Sequence, residues 1–132
     1  MSVRLKRAYE PPAPTDGYRV LIDRLWPRGV ERESARLDEW ARELAPSTAL
    51  RRWFAHDPAR FAEFRHRYVE ELSAQEDKLR ELRGRARETT VTLVYGARDT
   101  EHNDAVVLAE LLREEPHSTG NPKGDRRGSR EQ

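Results

Sequence analysis

The sequence predicts an α/β fold: a small single domain with a short, mainly parallel sheet flanked by helices. Two apolar runs carry that reading. Val20-Leu21-Ile22 joins three apolar residues, two of them β-branched, as in a strand buried on both faces. Thr90-Val91-Thr92-Leu93-Val94-Tyr95 is rich in β-branched and aromatic residues and is the clearest strand of the chain. Helix-period segments separate the two runs, so the strands are expected to be parallel neighbours.

The remaining elements follow in order. Val3-Arg4-Leu5-Lys6-Arg7 alternates apolar and basic residues, as a half-exposed edge strand does. Pro11 to Gly17 reads as a stiff loop ending in a turn. The next strand is expected over Tyr18–Arg24. Trp26-Pro27-Arg28-Gly29 breaks it, because proline cannot donate to a ladder. Leu37, Trp40, Ala41 and Leu44 have the spacing of an amphipathic helix ending before Pro46. Ser47 reads as the N-cap of a short helix with Leu50, Trp53 and Phe54. Asp57-Pro58 carries the pattern of a cap followed by a first-turn proline. One long helix is expected to hold Phe61, Phe64, Tyr68, Leu72, Leu79 and Leu82, with Gly84 at its end or at a bend. A last helix turns Val107, Leu108, Leu111 and Leu112 inward. The folded domain is expected to span residues 1–115. Residues 116–132 hold glycine, proline, serine and charge without periodicity and are expected to be a disordered tail.

Composition bounds the function. The chain has 132 residues, enough for one domain, and 37% of them are charged. So polar a chain must build its core from few side chains, with Trp26, Trp40 and Trp53 expected among them. Basic and acidic residues nearly cancel, at net +1, which argues against a general nucleic-acid coat. With no cysteine, disulfides, thiolate metal sites and cysteine nucleophiles are excluded. No apolar stretch approaches the ~18 residues of a membrane span, and no signal peptide is visible. A cytoplasmic protein is the expectation.

Two loops concentrate the candidate chemistry. One follows the first buried strand and carries Asp23, Arg24, Trp26 and Arg28. The other follows Tyr95 and carries Arg98, Asp99, His102 and Asn103 before a helix. Open α/β sheets bind ligands beyond the carboxyl ends of their strands, and a helix N-terminus favours an anion. Arg24, Arg28 and Arg98 are therefore expected to converge on one cavity and contact an anion. Trp26 would form a wall, Asn103 would line the site, and Asp23 and Asp99 would hold the arginines. His56, His102 and Asp99 are the acid–base candidates, His56 from a turn that can fold over the same edge. On the plainer reading, Asp99, Thr100 or Asp104 simply caps the following helix, and Arg98 pairs with Asp23 across the strand ends. No histidine spacing marks a metal site, and no glycine-rich phosphate loop marks a cofactor.

Three blocks of the sequence look familiar together. They are Gly17 to Gly29; Leu44 to Ser47 with Trp53-Phe54, His56-Asp57-Pro58, Phe61, Phe64 and Tyr68; and Val91 to Asp99 with Glu101-His102-Asn103. The chain resembles the YeaO-like branch of the domain-of-unknown-function 488 family over nearly everything before Pro116. The resemblance implies a small cytoplasmic α/β domain of bacteria and archaea without an assigned activity. Other branches of that family look as if they place a cysteine near the last strand. Here Tyr95 and Asn103 stand in that neighbourhood, which removes thiol chemistry by analogy.

The leading reading is a strand-end pocket that binds a small anionic ligand, phosphate or nucleotide-like. The alternatives are a nucleic-acid-binding module using Arg51, Arg52, Arg65 and Arg67, and an interaction protein whose strand-end charges only stabilise the fold.

Overall fold

Four strands form one sheet in the order β1-β4-β2-β3, every pairing parallel, in a computed structural model that describes residues 2–114. The strands are β1 (Ser2–Arg7), β2 (Tyr18–Leu21), β3 (Glu39–Trp40) and β4 (Thr90–Tyr95). β2 and β4 are neighbours, with Val20 opposite Leu93 and Leu21 opposite Val94. The sequence places them so because helices connect them, and parallel strands need such crossovers. β1 is an edge strand, as its alternation implies.

The helices are α1 (Arg32–Ala35), α2 (Thr48–Phe54), α3 (Phe61–Leu72), α4 (Glu76–Glu88) and α5 (Asp104–Arg113). One sheet face shows Val3, Val20, Val91, Leu93 and Tyr95 to the main core. That core takes Phe61, Phe64, Tyr68 and Leu72 from α3, Leu79 and Leu82 from α4, and Val107, Leu108 and Leu112 from α5. The opposite face carries buried Arg19, Leu21, Thr92 and Val94. Arg19 is satisfied there: its guanidinium donates to Asp16 Oδ2 at 2.7 Å and to the Ala35 carbonyl at 2.8 Å. A buried cation tolerates its place only when paired in this way.

The caps fall where the sequence puts them. Ser47 Oγ accepts from the Leu50 amide at 3.1 Å, and Asp57 Oδ1 from the Ala59 amide at 3.0 Å.

Four expectations are corrected. The helix expected over Leu37–Leu44 is instead edge strand β3 followed by a 3-10 turn over Arg42–Leu44. The outer edge of β2 decides this: the Asp38 amide donates to the Arg19 carbonyl and the Ala41 amide to the Leu21 carbonyl. A helix there would leave those carbonyls without partners. The long helix is two helices, parted by a 3-10 turn at Ser73–Gln75, and Gly84 lies inside α4 rather than at its end. The strand after Gly17 ends at Leu21, although the Ile22 amide still reaches the Val94 carbonyl. The tryptophans are also less central than expected. Trp53 packs against the core from its margin, while Trp26 and Trp40 meet edge to face, 5.3 Å apart, outside it. The expected tail, residues 116–132, lies outside the described residues, the last of which is Glu114.

Candidate functional site

Because β2 and β4 are parallel neighbours, the loops that leave them rise from the same sheet edge. A hydrogen bond from the Gly96 amide to Asp23 Oδ2, 2.8 Å long, ties the two loops together. A side chain at position 96 would start 3.1 Å from that oxygen, so glycine suits the close approach. Over this joint lies a cavity of about 640 Å³, within the usual size of small-molecule sites.

Four elements build its wall. The β2 loop gives Asp23, Arg24 and Leu25; α2 and its entry give Pro46, Thr48, Arg51, Arg52 and Phe54. The β4 loop gives Gly96, Ala97, His102 and Asn103, and α5 gives Asp104. Phe64 and His56 complete the lining. Ala55 and His56 both hold left-handed backbone, at φ +50° and +57°. Two such residues in succession are unusual without glycine, and strain of this kind clusters at functional sites.

The charges inside are shifted by their surroundings. Burial raises the Asp23 carboxyl, while the Gly96 amide and Arg51 partly offset it. Asp104 is pushed up to about 8, first by burial and then by the negative charge of Asp23; amides of its own turn and Arg51 oppose this. At neutral pH the pair therefore keeps a proton. Arg24 is steadied by a 3.3 Å bond to the Pro46 carbonyl.

Asp99 organises the β4 loop. It accepts from the Glu101 and His102 amides at 2.8 and 2.9 Å, which hold its carboxyl below the usual range. Its other oxygen lies 2.9 Å from His102 Nδ1. Asn103 caps α5 by accepting from the Val106 amide at 2.9 Å, and its amide group donates to the Asp99 carbonyl. His102 is thus oriented by a carboxylate, as an acid–base histidine is.

Of the residues expected at a site, Asp23, Arg24, Asn103, His56 and His102 line the cavity. Trp26, Arg28, Arg98 and Asp99 do not belong to its lining. The expected convergence of Arg24, Arg28 and Arg98 is therefore corrected. The Trp26 indole donates to the Val30 carbonyl at 2.7 Å and faces Trp40, and Tyr9 donates to the Arg28 carbonyl at 3.0 Å. Trp26 thus packs toward β3, while the Arg28 backbone meets Tyr9 of the loop after β1. Arg98 is exposed just before the Asp99 turn. Arg51 and Arg52 take the places expected of Arg28 and Arg98. Both keep the surface exposure that the sequence implies, and no local pattern in α2 shows that its polar face meets the strand ends.

The chain belongs to the DUF488 family: the model of the inactive DUF488-N3 subclade matches residues 2–129. It is 43% identical to the uncharacterized protein YeaO of Escherichia coli (strain K12), over 86% of this chain and 98% of that protein. It is 46% identical to the uncharacterized proteins Rv3073c of Mycobacterium tuberculosis and Mb3100c of Mycobacterium bovis, over 83% of this chain and 92% of each. No solved structure matches it. Among the described residues no helix is long and apolar enough to cross a membrane.

Proposed function

We propose that this protein is a binding domain that takes a small anionic ligand, phosphate or nucleotide-like, in the cavity over the β2 and β4 ends. The observation that carries the reading is the charge of the lining: Arg24, Arg51 and Arg52 face two carboxyls of which Asp104 is pushed up to about 8. At neutral pH the guanidiniums outnumber the ionised carboxylates, and Arg suits bidentate contact with phosphate or carboxylate. Binding rather than turnover fits the remaining groups. His102 has an orienting carboxylate, but the chain has no cysteine, and the matched subclade is described as inactive. The wider arginine face is largely neutralised: Arg65 pairs with Glu110 at 3.0 Å and Arg67 with Glu63 at 2.9 Å. That favours the cavity over a nucleic-acid surface.

The test is thermal unfolding with inorganic phosphate in the millimolar range at low salt. A ligand that binds only the folded state stabilises it by RT ln(1 + [L]/Kd), about 2.7 kcal/mol at a hundredfold excess over Kd. The melting temperature is expected to rise by several degrees. Arg51→Ala removes most of that rise, and Arg28→Ala and Arg98→Ala leave it. No rise in the parent protein, or an equal rise in all three variants, overturns the reading.

A further inference from the structure

Beside its arginines the cavity keeps two carboxyls and an apolar wall, and a simple anion uses neither. Asp23 spends one oxygen on the Gly96 amide, and its Oδ1 has no hydrogen-bond partner among the described residues. Asp104 has no ion-pair partner among the described residues, and the cation acting on it is Arg51. Leu25 stands 66% exposed at the rim, an unusual exposure for a leucine, while Phe54 and Phe64, stacked at 4.3 Å, form the apolar part of the lining. Half-buried carboxyls in such a wall favour partners that donate hydrogen bonds. A carboxylate beside a carboxylic acid offers an acceptor next to a donor. That pattern complements an exocyclic amino group beside a ring nitrogen. The apolar surfaces of Leu25 and Phe54 suit the faces of a flat ring.

We propose that the ligand joins both chemistries in one small molecule: an anionic group held by Arg24, Arg51 and Arg52, and an amino-substituted nitrogen heterocycle read by Asp23 and Asp104. This rests on the anion-binding reading of the same cavity and narrows it to the chemistry of a nucleoside monophosphate with an amino base. A volume of about 640 Å³ accommodates such a molecule. Replacing the amino group by an oxo group turns a donor into an acceptor and sets it against carboxyl oxygens. A site that pairs with a donor rejects the analogue lacking it, because its own polar groups are left unmatched.

Calorimetric titration of the full chain tests this with AMP against IMP, CMP against UMP, and ribose 5-phosphate and inorganic phosphate as anion-only probes. In at least one pair the amino nucleotide is expected to bind at least about tenfold tighter than its oxo partner and than ribose 5-phosphate. In Asp104→Ala that preference disappears, and the nucleotides fall to the level of ribose 5-phosphate, which still binds. Asp23→Asn, which keeps the shape of the side chain, is the second variant should the first be unfolded by circular dichroism; it too loses the preference. Phosphate and ribose 5-phosphate binding with both nucleotide pairs within twofold overturns this proposal and leaves the anion site standing. Failure of every probe, phosphate included, overturns both.

Discussion

Asp104 shows how one residue can be read correctly by local rules and still be misplaced. As the first residue of α5 it looks like an ordinary acidic group at a helix start, which the helix dipole favours. Tertiary burial and Asp23 reverse that and push its carboxyl from 3.8 up to about 8. The consequence for stability has a definite sign. Between about 4 and 8 the folded protein holds a proton that the unfolded chain has released, so stability falls as pH rises through this window. The slope approaches about 1.4 kcal/mol per pH unit for one such group. Asp23, also raised by burial, acts in the same direction. Asp16 and Asp99 are lowered, so their contributions are lost only as pH falls below the ordinary carboxylate range. Urea unfolding of the parent at pH 5, 7 and 9 is expected to show declining stability. Asp104→Asn should flatten the decline and exceed the parent at pH 9. Parallel curves for the two proteins would remove the half-buried, proton-holding carboxyl from the description of the site.

At the scale of elements, strands were legible where the chain itself decides and illegible where a neighbour does. β2 and β4 hold apolar runs that a buried sheet accepts; β4 stands as read, and β2 is shorter, ending at Leu21. Residues 37–44 have helical spacing, yet the unpaired edge of β2 draws Glu39 and Trp40 into a two-residue strand. Trp40 accordingly faces Trp26, carries the Arg42 guanidinium 3.7 Å from its ring centre, and donates to the Asp23 carbonyl. Phe64 is 1% exposed and stacked on Phe54. Phe64→Ala is expected to cost about 3–5 kcal/mol, and Trp40→Ala about 2 kcal/mol from its hydrogen bond and ring contacts. Equal losses on chemical denaturation would mean that the tryptophan pair belongs to the core after all. Glycines divide in the same way. Gly17 holds φ +67°, and a Cβ there would lie 2.2 Å from the Thr90 carbonyl oxygen, so Gly17→Ala must force β2 from β4. A loss above about 2 kcal/mol is expected. Gly84 sits inside α4 with nothing within 4 Å of an added Cβ. Gly84→Ala should gain about 1 kcal/mol. A loss there would show that α4 breaks at Gly84, as the sequence alone suggested.

For the molecule as a whole, the sheet edge that carries the site was readable and the composition of the site was not. Parallel neighbours bring their following loops to one edge, and Asp23, Arg24, His102 and Asn103 meet there for that reason alone. Arg51, Arg52 and Asp104 join them through the packing of α2 and α5, a long-range arrangement without a local pattern. On the anion-binding reading proposed above, this assembly links ligand, proton and fold. An anion among the arginines is repelled by ionised Asp104 and unaffected by its neutral form, so anion binding and proton retention favour one another reciprocally. Sulfate is the suitable probe, because it does not change charge over the range of interest. Its affinity, read from thermal shifts in the parent, is expected to fall as pH rises from 7 to 9, above the ordinary titration of imidazole. In Asp104→Asn the same titration should be nearly flat, because the side chain keeps its shape and has no charge to acquire. A parent whose sulfate affinity does not change between pH 7 and 9, while Arg51→Ala still abolishes it, would place the anion beyond the reach of Asp104. The arginines and the carboxyl pair would then serve separate parts of the cavity.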